Sequence, residues 1–288
     1  TRFRTRFQRR AIITHNFDAE VAIIEAPTGI GKTKVFLDIV NEYRNRNHEF
    51  ERVFYFSPLL ALTDDFEEKI TSVVDPNNLE EIIMYNNLYS ATLAERQEDQ
   101  AQEVFSEYHR DFLYNSFNHK FIIATMQRLL MLIYSNKRSA KVKLLSLKNS
   151  LLILDEIQTL PKFLIPNFVA ILRQIATQLN SKILLVSATI PDELRTVVPP
   201  LPTITPDQQL LAQYQRATSK NIRYVPRLPN IPNNGTVLVM ANTRKKARNI
   251  FENLTTTLHT NYITAGIRKK NRKGMIKLIN SQHCPRCN

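Results

Sequence analysis

The stretch that decides the fold is VAIIEAPTGIGKT, residues 21–33. An apolar, β-branched run at 21–24 leads into a loop that contains Gly29 and Gly31, and a helical pattern begins at Val35. This order predicts a strand, a phosphate-binding loop and a helix. The two glycines let backbone N–H groups face an anion, and the helix N-terminus adds its dipole.

The side chains that end this loop fit a bound nucleotide with Mg²⁺. Lys32 is placed to reach the outer phosphates, and the Thr33 hydroxyl can hold the metal ion. Ala26 stands where the general pattern has glycine, and a small residue there still permits close approach. The residues predicted to bind ATP in this loop are Pro27, Thr28, Gly29, Ile30, Gly31, Lys32 and Thr33.

Short apolar runs recur along the chain and are mostly separated by helical stretches. Such runs are typical of parallel strands that are covered on both faces. The alternation predicts an α/β fold, a RecA-like P-loop doubly wound parallel sheet. The runs are Arg52–Pro58, Ile82–Tyr85, Phe121–Thr125, Leu151–Asp155, Lys182–Ser187 and Thr236–Ala241.

Prolines crowd residues 191–232, where so many fixed φ angles exclude a continuous helix or a central strand. We therefore divide the chain into a first lobe at 1–205, a linker at 206–234 with one short helix, and the start of a second lobe at 235–288. The polar stretch at 91–119 is interpreted as a helical surface insertion, and the basic stretch at 135–148 as a loop or short helix.

The net charge of +13 and the isoelectric point near 9.8 favour a polyanionic partner such as nucleic acid. A basic surface that serves only solubility is the alternative. No apolar run approaches the roughly 20 residues that span a membrane, and the N-terminus does not resemble a signal peptide. We expect a cytoplasmic protein with no membrane partner. Because the sequence begins with Thr1, we expect a fragment.

Cys284 and Cys287, with His283 beside them, form a single Cys-x-x-Cys near the end of the sequence. A zinc knuckle needs two more ligands that the sequence does not visibly supply. The pair is therefore only a weak indication of a metal site.

A second apolar run, Leu151–Leu154, ends in the adjacent carboxylates Asp155 and Glu156. A P-loop ATPase needs one carboxylate that holds Mg²⁺ and a second that polarises the attacking water. Asp155 is assigned the first role and Glu156 the second. Taken alone, the pair could equally cap a helix.

Ser187, Ala188 and Thr189 follow another buried run, at the strand end where open α/β sheets bind ligands. Hydrogen bonds from this segment to residues 155–158 would report the state of the γ-phosphate. Gln8 lies upstream of the phosphate loop, and its amide could pair with adenine. A solvent-facing Gln8 and a plain βα turn after residue 187 are the alternatives.

In order, five short motifs resemble motifs I, Ia, Ib, II and III of superfamily 2 helicases: residues 26–33, Ser57-Pro58, Thr125-Met126-Gln127, residues 155–158 and residues 187–189. The stretch NSLLILDEIQTLPKFLIPNF, with the long basic connector before it, resembles the CRISPR-associated helicases of type I interference systems. VLVMANTRKKARNIFENL resembles the opening of that family's second RecA-like lobe, with Asn242 and Thr243 at motif IV.

The resemblance implies an ATP-driven translocase that moves 3′ to 5′ on single-stranded DNA, recruited to the R-loop of an RNA-guided surveillance complex. ATP and Mg²⁺ are the implied cofactors. The implied roles are hydrolysis for Lys32, Thr33, Asp155 and Glu156, adenine recognition for Gln8, coupling for Gln158, Ser187 and Thr189, and contact with the DNA backbone for Ser57, Pro58, Thr125 and Gln127.

Two departures limit the resemblance. The family's nuclease domain is marked by a His-Asp pair, and no histidine of this sequence precedes an aspartate. We therefore expect any nuclease to be a separate domain or subunit. Motif VI, which would supply an arginine finger, is also missing, so we expect slow hydrolysis from this fragment alone. Another superfamily 2 DNA or RNA helicase and a non-catalytic DNA-binding module stay open as alternatives.

Overall fold

The computed structural model describes residues 2–46, 48–58, 82–85, 119–218 and 239–254. The chain forms two compact units, Thr1–Ser219 and Lys220–Asn288. The expected insertion at 91–119 lies outside the described residues apart from position 119. Of the expected strand at 236–241, residues 239–241 are described, and they do not form a strand. His283, Cys284 and Cys287 lie outside them altogether.

The described part of the first unit is built on a parallel sheet of seven strands in the order β3-β4-β2-β5-β6-β1-β7. Its strands are β1 Val21–Glu25, β2 Arg52–Ser57, β3 Ile82–Tyr85, β4 Phe121–Thr125, β5 Ser150–Leu154, β6 Lys182–Ser187 and β7 Thr203–Ile204. Its described helices are α1 Arg2–Thr14, α2 Lys32–Asn45, α3 Met126–Tyr134, α4 Arg138–Leu145, α5 Ile165–Gln178, α6 Asp192–Arg195 and α7 Gln208–Thr218. The predicted α/β fold is confirmed.

The central strands are buried on both faces because their side chains alternate between two apolar layers. Phe54 and Phe56 of β2 pack in one layer, with residues of α3 and α5. Val53 and Tyr55 of the same strand pack in the other layer, with residues of α1, α2 and α7. A sheet covered in this way needs apolar side chains at every position, which explains the continuous runs in the sequence.

Strand β7 is an element that the sequence analysis did not predict. Thr203 and Ile204 pair with β1 at the edge of the sheet, and the Ile23 N–H donates to the Pro202 carbonyl at 2.8 Å. Proline is tolerated at a sheet edge because only one side of the strand needs backbone donors. The proline-rich segment therefore excludes a central strand but not this short edge strand.

Helix α7 belongs to the first unit, whereas the division made from the sequence places residues 206–234 in a linker. The Asp207 side chain accepts the Leu210 N–H at 2.6 Å, which caps the first turn of the helix. Leu210 is fully buried in the layer that also contains Phe7 of α1. This apolar contact holds the helix against the sheet unit.

The described part of the second unit contains helix α8, Arg244–Leu254. The Thr243 hydroxyl accepts the Lys246 N–H at 3.2 Å, and the Thr243 carbonyl accepts the Ala247 N–H at 3.0 Å. Thr243, which the resemblance assigns to motif IV, therefore caps this helix. Among the described residues, no helix is long and apolar enough to cross a membrane.

Candidate active site

Three neighbouring strands place the candidate catalytic residues at one edge of the sheet. β5, β6 and β1 are adjacent and parallel, so their carboxyl ends meet at the same edge. The phosphate loop follows β1, Asp155 and Glu156 follow β5, and Ser187 ends β6. The Ala26 N–H donates to the Ser187 carbonyl at 3.0 Å, which joins the loop directly to the end of β6.

The phosphate loop depends on its two glycines for its backbone shape. Gly29 and Gly31 have φ angles of 82° and 103°, in the left-handed region that disfavours residues with a Cβ. Between them, Ile30 is fully buried and anchors the loop in the apolar layer below. Lys32 is the first residue of α2, so the loop ends at a helix N-terminus, as an anion site requires.

Lys32 joins the phosphate loop to the carboxylates after β5. Its ammonium donates to the Ala26 carbonyl at 3.1 Å and lies 3.9 Å from Oε1 of Glu156. The Lys32 side chain is only 10% exposed. This positive charge is held at the mouth of the loop, where the outer phosphates of a nucleotide would bind. The predicted pairing of loop and carboxylates is thus present in the geometry.

Asp155 is half-buried directly after β5 and is held by a tyrosine of the neighbouring strand. The Tyr55 hydroxyl donates to Oδ2 of Asp155 at 2.6 Å. Burial raises the pKa of the Asp155 carboxyl above its usual value; the Tyr55 hydrogen bond and the Lys32 charge lower this pKa, while the Glu156 charge raises it. A bound cation would favour the ionised carboxylate.

The donor set fits a nucleotide-bound Mg²⁺, which takes one or two carboxylates, phosphate oxygens and waters. Asp155 supplies a carboxylate that already holds a hydrogen bond on Oδ2, and half-buried Thr33 supplies a hydroxyl in the first turn of α2. Within the described ranges there is no cluster of three or more His, Cys, Asp or Glu that would make an all-protein metal cage.

Glu156 adopts a backbone conformation that few residues with a side chain adopt. Its φ angle is 54°, in the left-handed region, and its N–H donates to Oδ1 of Asp155 at 2.9 Å. The turn lets the Glu156 carboxylate lie between the Lys32 ammonium and the Gln158 amide, which donates to Oε2. Strained backbone of this kind is concentrated at functional sites.

Gln158, Ser187 and Thr189 form one hydrogen-bonded group. The Ser187 hydroxyl contacts the amide oxygen of Gln158 and the Thr189 carbonyl, and it accepts the Thr189 N–H at 3.3 Å. Ser187 is fully buried, whereas Thr189 is exposed. The three predicted coupling residues are therefore brought together, and Gln158 connects them to Glu156.

Gln8 lies on α1 beside the phosphate loop. A Cβ built on Gly31 would lie 3.6 Å from the amide nitrogen of Gln8 and 3.4 Å from Cγ of Arg4. The bare backbone of Gly31 thus allows α1 to approach the loop. Gln8 is half-buried, and its amide lies beside the end of the phosphate loop.

The four residues predicted to face DNA lie at the carboxyl ends of β2 and β4. Ser57 and Thr125 are register partners, so these two positions are neighbours. Their exposure differs: Ser57 is fully buried, Pro58 and Thr125 are half-buried, and Gln127 is exposed. The side chain of Ser57 is therefore not accessible to a ligand in this structure, whereas the side chain of Gln127 is accessible.

Sequence reasoning missed Tyr55 and two residues that hold the phosphate loop from outside. A tyrosine inside the apolar run RVFYFS was the available signal for Tyr55, because a buried phenol requires a hydrogen-bond partner. Tyr214 of α7 donates to the Thr28 carbonyl at 2.8 Å, and Arg4 of α1 donates to the Gly29 carbonyl at 3.1 Å. No local pattern in the sequence indicates these two contacts.

Comparison with known proteins shows which family this chain resembles. The model of the DEAD/DEAH box helicase family matches residues 5–197. A CRISPR-associated nuclease/helicase Cas3 from Haloferax volcanii is 25% identical over 188 residues, which are 62% of this chain and 20% of that protein. The chain thus spans about one fifth of this curated relative. The resemblance to CRISPR-associated helicases noted from the motifs is confirmed.

Two solved structures share the fold. T. fusca Cas3 with AMPPNP has a TM-score of 0.51 at 16% identity, over 77% of this chain and 24% of that one. The DUF1998 helicase MrfA has a TM-score of 0.52 at 14% identity, over 94% of this chain and 41% of that one. The family model covers most of the chain, including the phosphate loop and the Asp155-Glu156 pair. The chain belongs to the DEAD/DEAH box helicase family.

Proposed function

We propose that this chain is the motor part of a CRISPR interference helicase of type I. In this proposal it binds ATP with Mg²⁺ and steps 3′ to 5′ along single-stranded DNA. Support for the ATP-dependent class comes from the family, and support for the CRISPR context comes from the similarity to a Cas3 protein. The net charge of +13 fits a polyanionic track.

One observation carries the proposal: an unbroken path of polar contacts from the phosphate loop to the end of β6. Lys32 approaches Glu156, Gln158 donates to Glu156, and Gln158 contacts Ser187. A phosphate-binding lysine that is linked through a carboxylate and an amide to the next strand can transmit the phosphate state. A plain anion-binding loop does not need this path.

In the proposed mechanism, the loop N–H groups and Lys32 bind the phosphates, while Thr33 and Asp155 hold the metal ion. Mg²⁺ supplies positive charge that offsets the charge on the transferring phosphoryl group. Glu156 orients a water molecule and accepts its proton as the water oxygen bonds to the γ-phosphorus, while the bond from that phosphorus to the bridging oxygen breaks and ADP leaves. The Gln158 amide, already bonded to Glu156, holds the carboxylate in place for this role.

Strand contact is assigned to the ends of β2 and β4. Gln127 is exposed there, and Pro58 and Thr125 are partly exposed. Neutral donors to phosphate oxygens position a strand without reading its bases, which suits a motor that steps along any sequence. Buried Ser57 would act through its backbone or through its neighbour Thr125.

The proposed setting is the cytoplasm, at an R-loop opened by an RNA-guided surveillance complex. A separate nuclease domain or subunit would cut the strand, because no histidine of this sequence carries the His-Asp mark of the family's nuclease. The CRISPR partners follow from the relatives and are part of the proposal.

The test is ATP turnover by the chain with and without single-stranded DNA, and with RNA of the same sequence. We expect turnover that is slow, because motif VI is missing, and that rises with DNA more than with RNA. Lys32→Ala should reduce turnover by about 100-fold or more, since it removes the charge that binds the outer phosphates. The matched control is Lys34→Ala, two residues along the same helix, where Lys34 is exposed and pairs with Asp38.

Each outcome bears on a different part of the proposal. Equal turnover in the wild type and Lys32→Ala would refute a catalytic phosphate loop. Turnover that responds to RNA more than to DNA would favour an RNA helicase. ATP binding without turnover, in the presence of DNA, would favour a binding module.

A further inference from the structure

Two consecutive carbonyls of the phosphate loop are held by side chains from other helices. The Tyr214 hydroxyl of α7 donates to the Thr28 carbonyl at 2.8 Å, and Nε of Arg4 in α1 donates to the Gly29 carbonyl at 3.1 Å. Thr28 and Gly29 are themselves exposed. The backbone of this turn itself contributes the bond from the Ile30 N–H to the Pro27 carbonyl, which is long at 3.4 Å.

A hydrogen bond that fixes a backbone carbonyl also fixes the direction of the N–H group of the following residue. In a trans peptide, the C=O of one residue and the N–H of the following residue point in opposite directions within one plane. Tyr214 therefore sets the direction of the Gly29 N–H. Arg4 sets that of the Ile30 N–H, which closes the turn onto the Pro27 carbonyl. Backbone N–H groups are what a phosphate loop offers to an anion.

The approach of Tyr214 requires a bare backbone at Gly29. A Cβ at this position would lie 2.9 Å from the Tyr214 hydroxyl, closer than real contacts allow. The tyrosine ring is also held in place, because Phe3 of α1 packs edge-on against it with 6.0 Å between ring centroids. The glycine and the ring contact together let one hydroxyl reach the loop.

Helices α1 and α7 are tied to each other around this contact. Leu210 and Phe7 are both fully buried in one layer. At the surface, Arg6 donates to Gln213 at 3.4 Å. Thr218, the last residue of α7, lies one position before the boundary between the two units at Ser219. The helix that holds Thr28 is thus the last described element of the first unit.

We propose that Tyr214 and Arg4 are positioning residues of the nucleotide site, which hold the phosphate loop in its triphosphate-binding shape from α7 and α1. This inference rests on the proposed function of the same site. Neither residue supplies catalytic chemistry; both lower the cost of ordering the loop when a nucleoside triphosphate binds. Such preorganisation acts on affinity more than on the chemical step.

The test is ATP binding by Tyr214→Phe, measured by calorimetry on the whole chain. This change removes the hydroxyl and keeps the ring against Phe3. We expect the dissociation constant for ATP to rise about three- to tenfold, as loss of one hydrogen bond would produce. KM for ATP should rise by a similar factor while kcat stays near the wild-type value. The control is Tyr134→Phe in α3, where the tyrosine is 50% exposed.

A second pair of variants tests Arg4 against a charge-matched control. Arg4→Gln should weaken ATP binding by a similar factor, whereas Arg9→Gln, at an exposed position of the same helix, should not. Both changes remove one positive charge, so a difference between them isolates the bond to Gly29. The unfolding midpoint without nucleotide should stay unchanged in all four variants.

The outcomes separate this inference from the proposed function. If the wild type binds ATP and Tyr214→Phe and Arg4→Gln bind it equally well, the inference is wrong and the proposed function stands. A lowered unfolding midpoint with unchanged affinity would also overturn it, because the contacts would then be structural only. If the wild type itself fails to bind ATP, the proposed function is refuted, and this inference is refuted with it.

Discussion

The two halves of the carboxyl edge of the sheet differ in how many of their candidate functional side chains contact one another. At the ends of β1, β5 and β6, the side chains of Lys32, Glu156, Gln158 and Ser187 contact one another. At the ends of β2 and β4, Ser57 and Thr125 are neighbours by register, but one is buried and the exposed Gln127 stands on the following helix.

This difference reflects the ligands that each half is proposed to bind. A nucleotide site must hold several charges in fixed positions to act on one phosphoryl group, so its side chains are connected before the ligand binds. A strand-binding surface must release and bind again at each step, so separate neutral donors suffice. The bond from Tyr55 of β2 to Asp155 is where the two halves meet.

The largest effect is expected from the centre of the assembled half. Glu156→Gln should lower ATP turnover by about 100-fold or more, because the amide cannot accept the proton of the attacking water. ATP binding measured by calorimetry should be nearly unchanged. Glu49→Gln, at an exposed position, is the control. Wild-type turnover in Glu156→Gln would refute a catalytic role for the contacts at the ends of β1, β5 and β6.

A smaller effect is expected at the far end of the contact path. Ser187→Ala removes the hydroxyl that contacts Gln158. We expect basal turnover within about twofold of wild type but stimulation by single-stranded DNA reduced about fivefold, a loss equivalent to one hydrogen bond. Rates of ATP turnover with and without single-stranded DNA measure both quantities. Ser139→Ala, at an exposed position, is the control. A parallel loss of basal and stimulated turnover would place Ser187 in catalysis rather than in coupling.

Charged side chains that are held together without a bound ligand should lower the stability of the fold. Replacing Asp155 tests this expectation. Its folded-state pKa is raised, chiefly by burial, so folding favours the protonated carboxyl. The stability that this carboxyl contributes is therefore present below the usual pKa of a carboxyl, and it is lost as the pH rises through the folded-state pKa. At neutral pH, Asp155→Asn should therefore raise the unfolding midpoint of the nucleotide-free chain by a few degrees.

Thermal unfolding at neutral and at acidic pH measures this effect. The gain in Asp155→Asn should shrink at low pH, where the wild-type carboxyl is protonated. Asp18→Asn, at an exposed position, is the control. A lower midpoint in Asp155→Asn at neutral pH would show that the ionised carboxylate is stabilising in the fold.

The smallest effect is expected in the other half of the edge. Gln127→Ala should weaken binding of single-stranded DNA by about two- to threefold, because one exposed neutral donor among several is lost. Fluorescence anisotropy with a labelled strand measures the affinity, and exposed Gln174→Ala is the control. A loss of affinity beyond tenfold would contradict this expectation, because it would show that Gln127 is a main DNA contact rather than one of several equivalent contacts.

Several features of the site could be predicted from short stretches of sequence. The glycines of the loop, the adjacent carboxylates after β5 and the hydroxyl at the end of β6 each follow from local chemistry at a strand end. Parallel strands bring such ends to one edge, so the grouping of Lys32 with Glu156 and of Gln158 with Ser187 could be anticipated. The strand bounds at Phe121–Thr125 and Lys182–Ser187 agree with the sequence prediction.

Other features required the folded chain. The apolar run at 52–58 predicts a strand but not that its end buries Ser57. The prolines after residue 191 argue against a strand, yet β7 forms at the sheet edge, where a missing donor is tolerated. Helix α7 is held on the first unit by Leu210 and Tyr214, which pack in the apolar layer although most of the helix is polar.

The fold class and the residues of the phosphate loop follow from local patterns in the sequence: continuous apolar runs, two glycines after such a run, and adjacent carboxylates. The distant side chains that support the loop are identified only by the folded structure. Tyr55 contacts Asp155 from 100 positions away, and Tyr214 contacts Thr28 from 186 positions away. Contacts over such separations depend on how helices and strands pack, and packing leaves no periodic signal in the residues that it brings together.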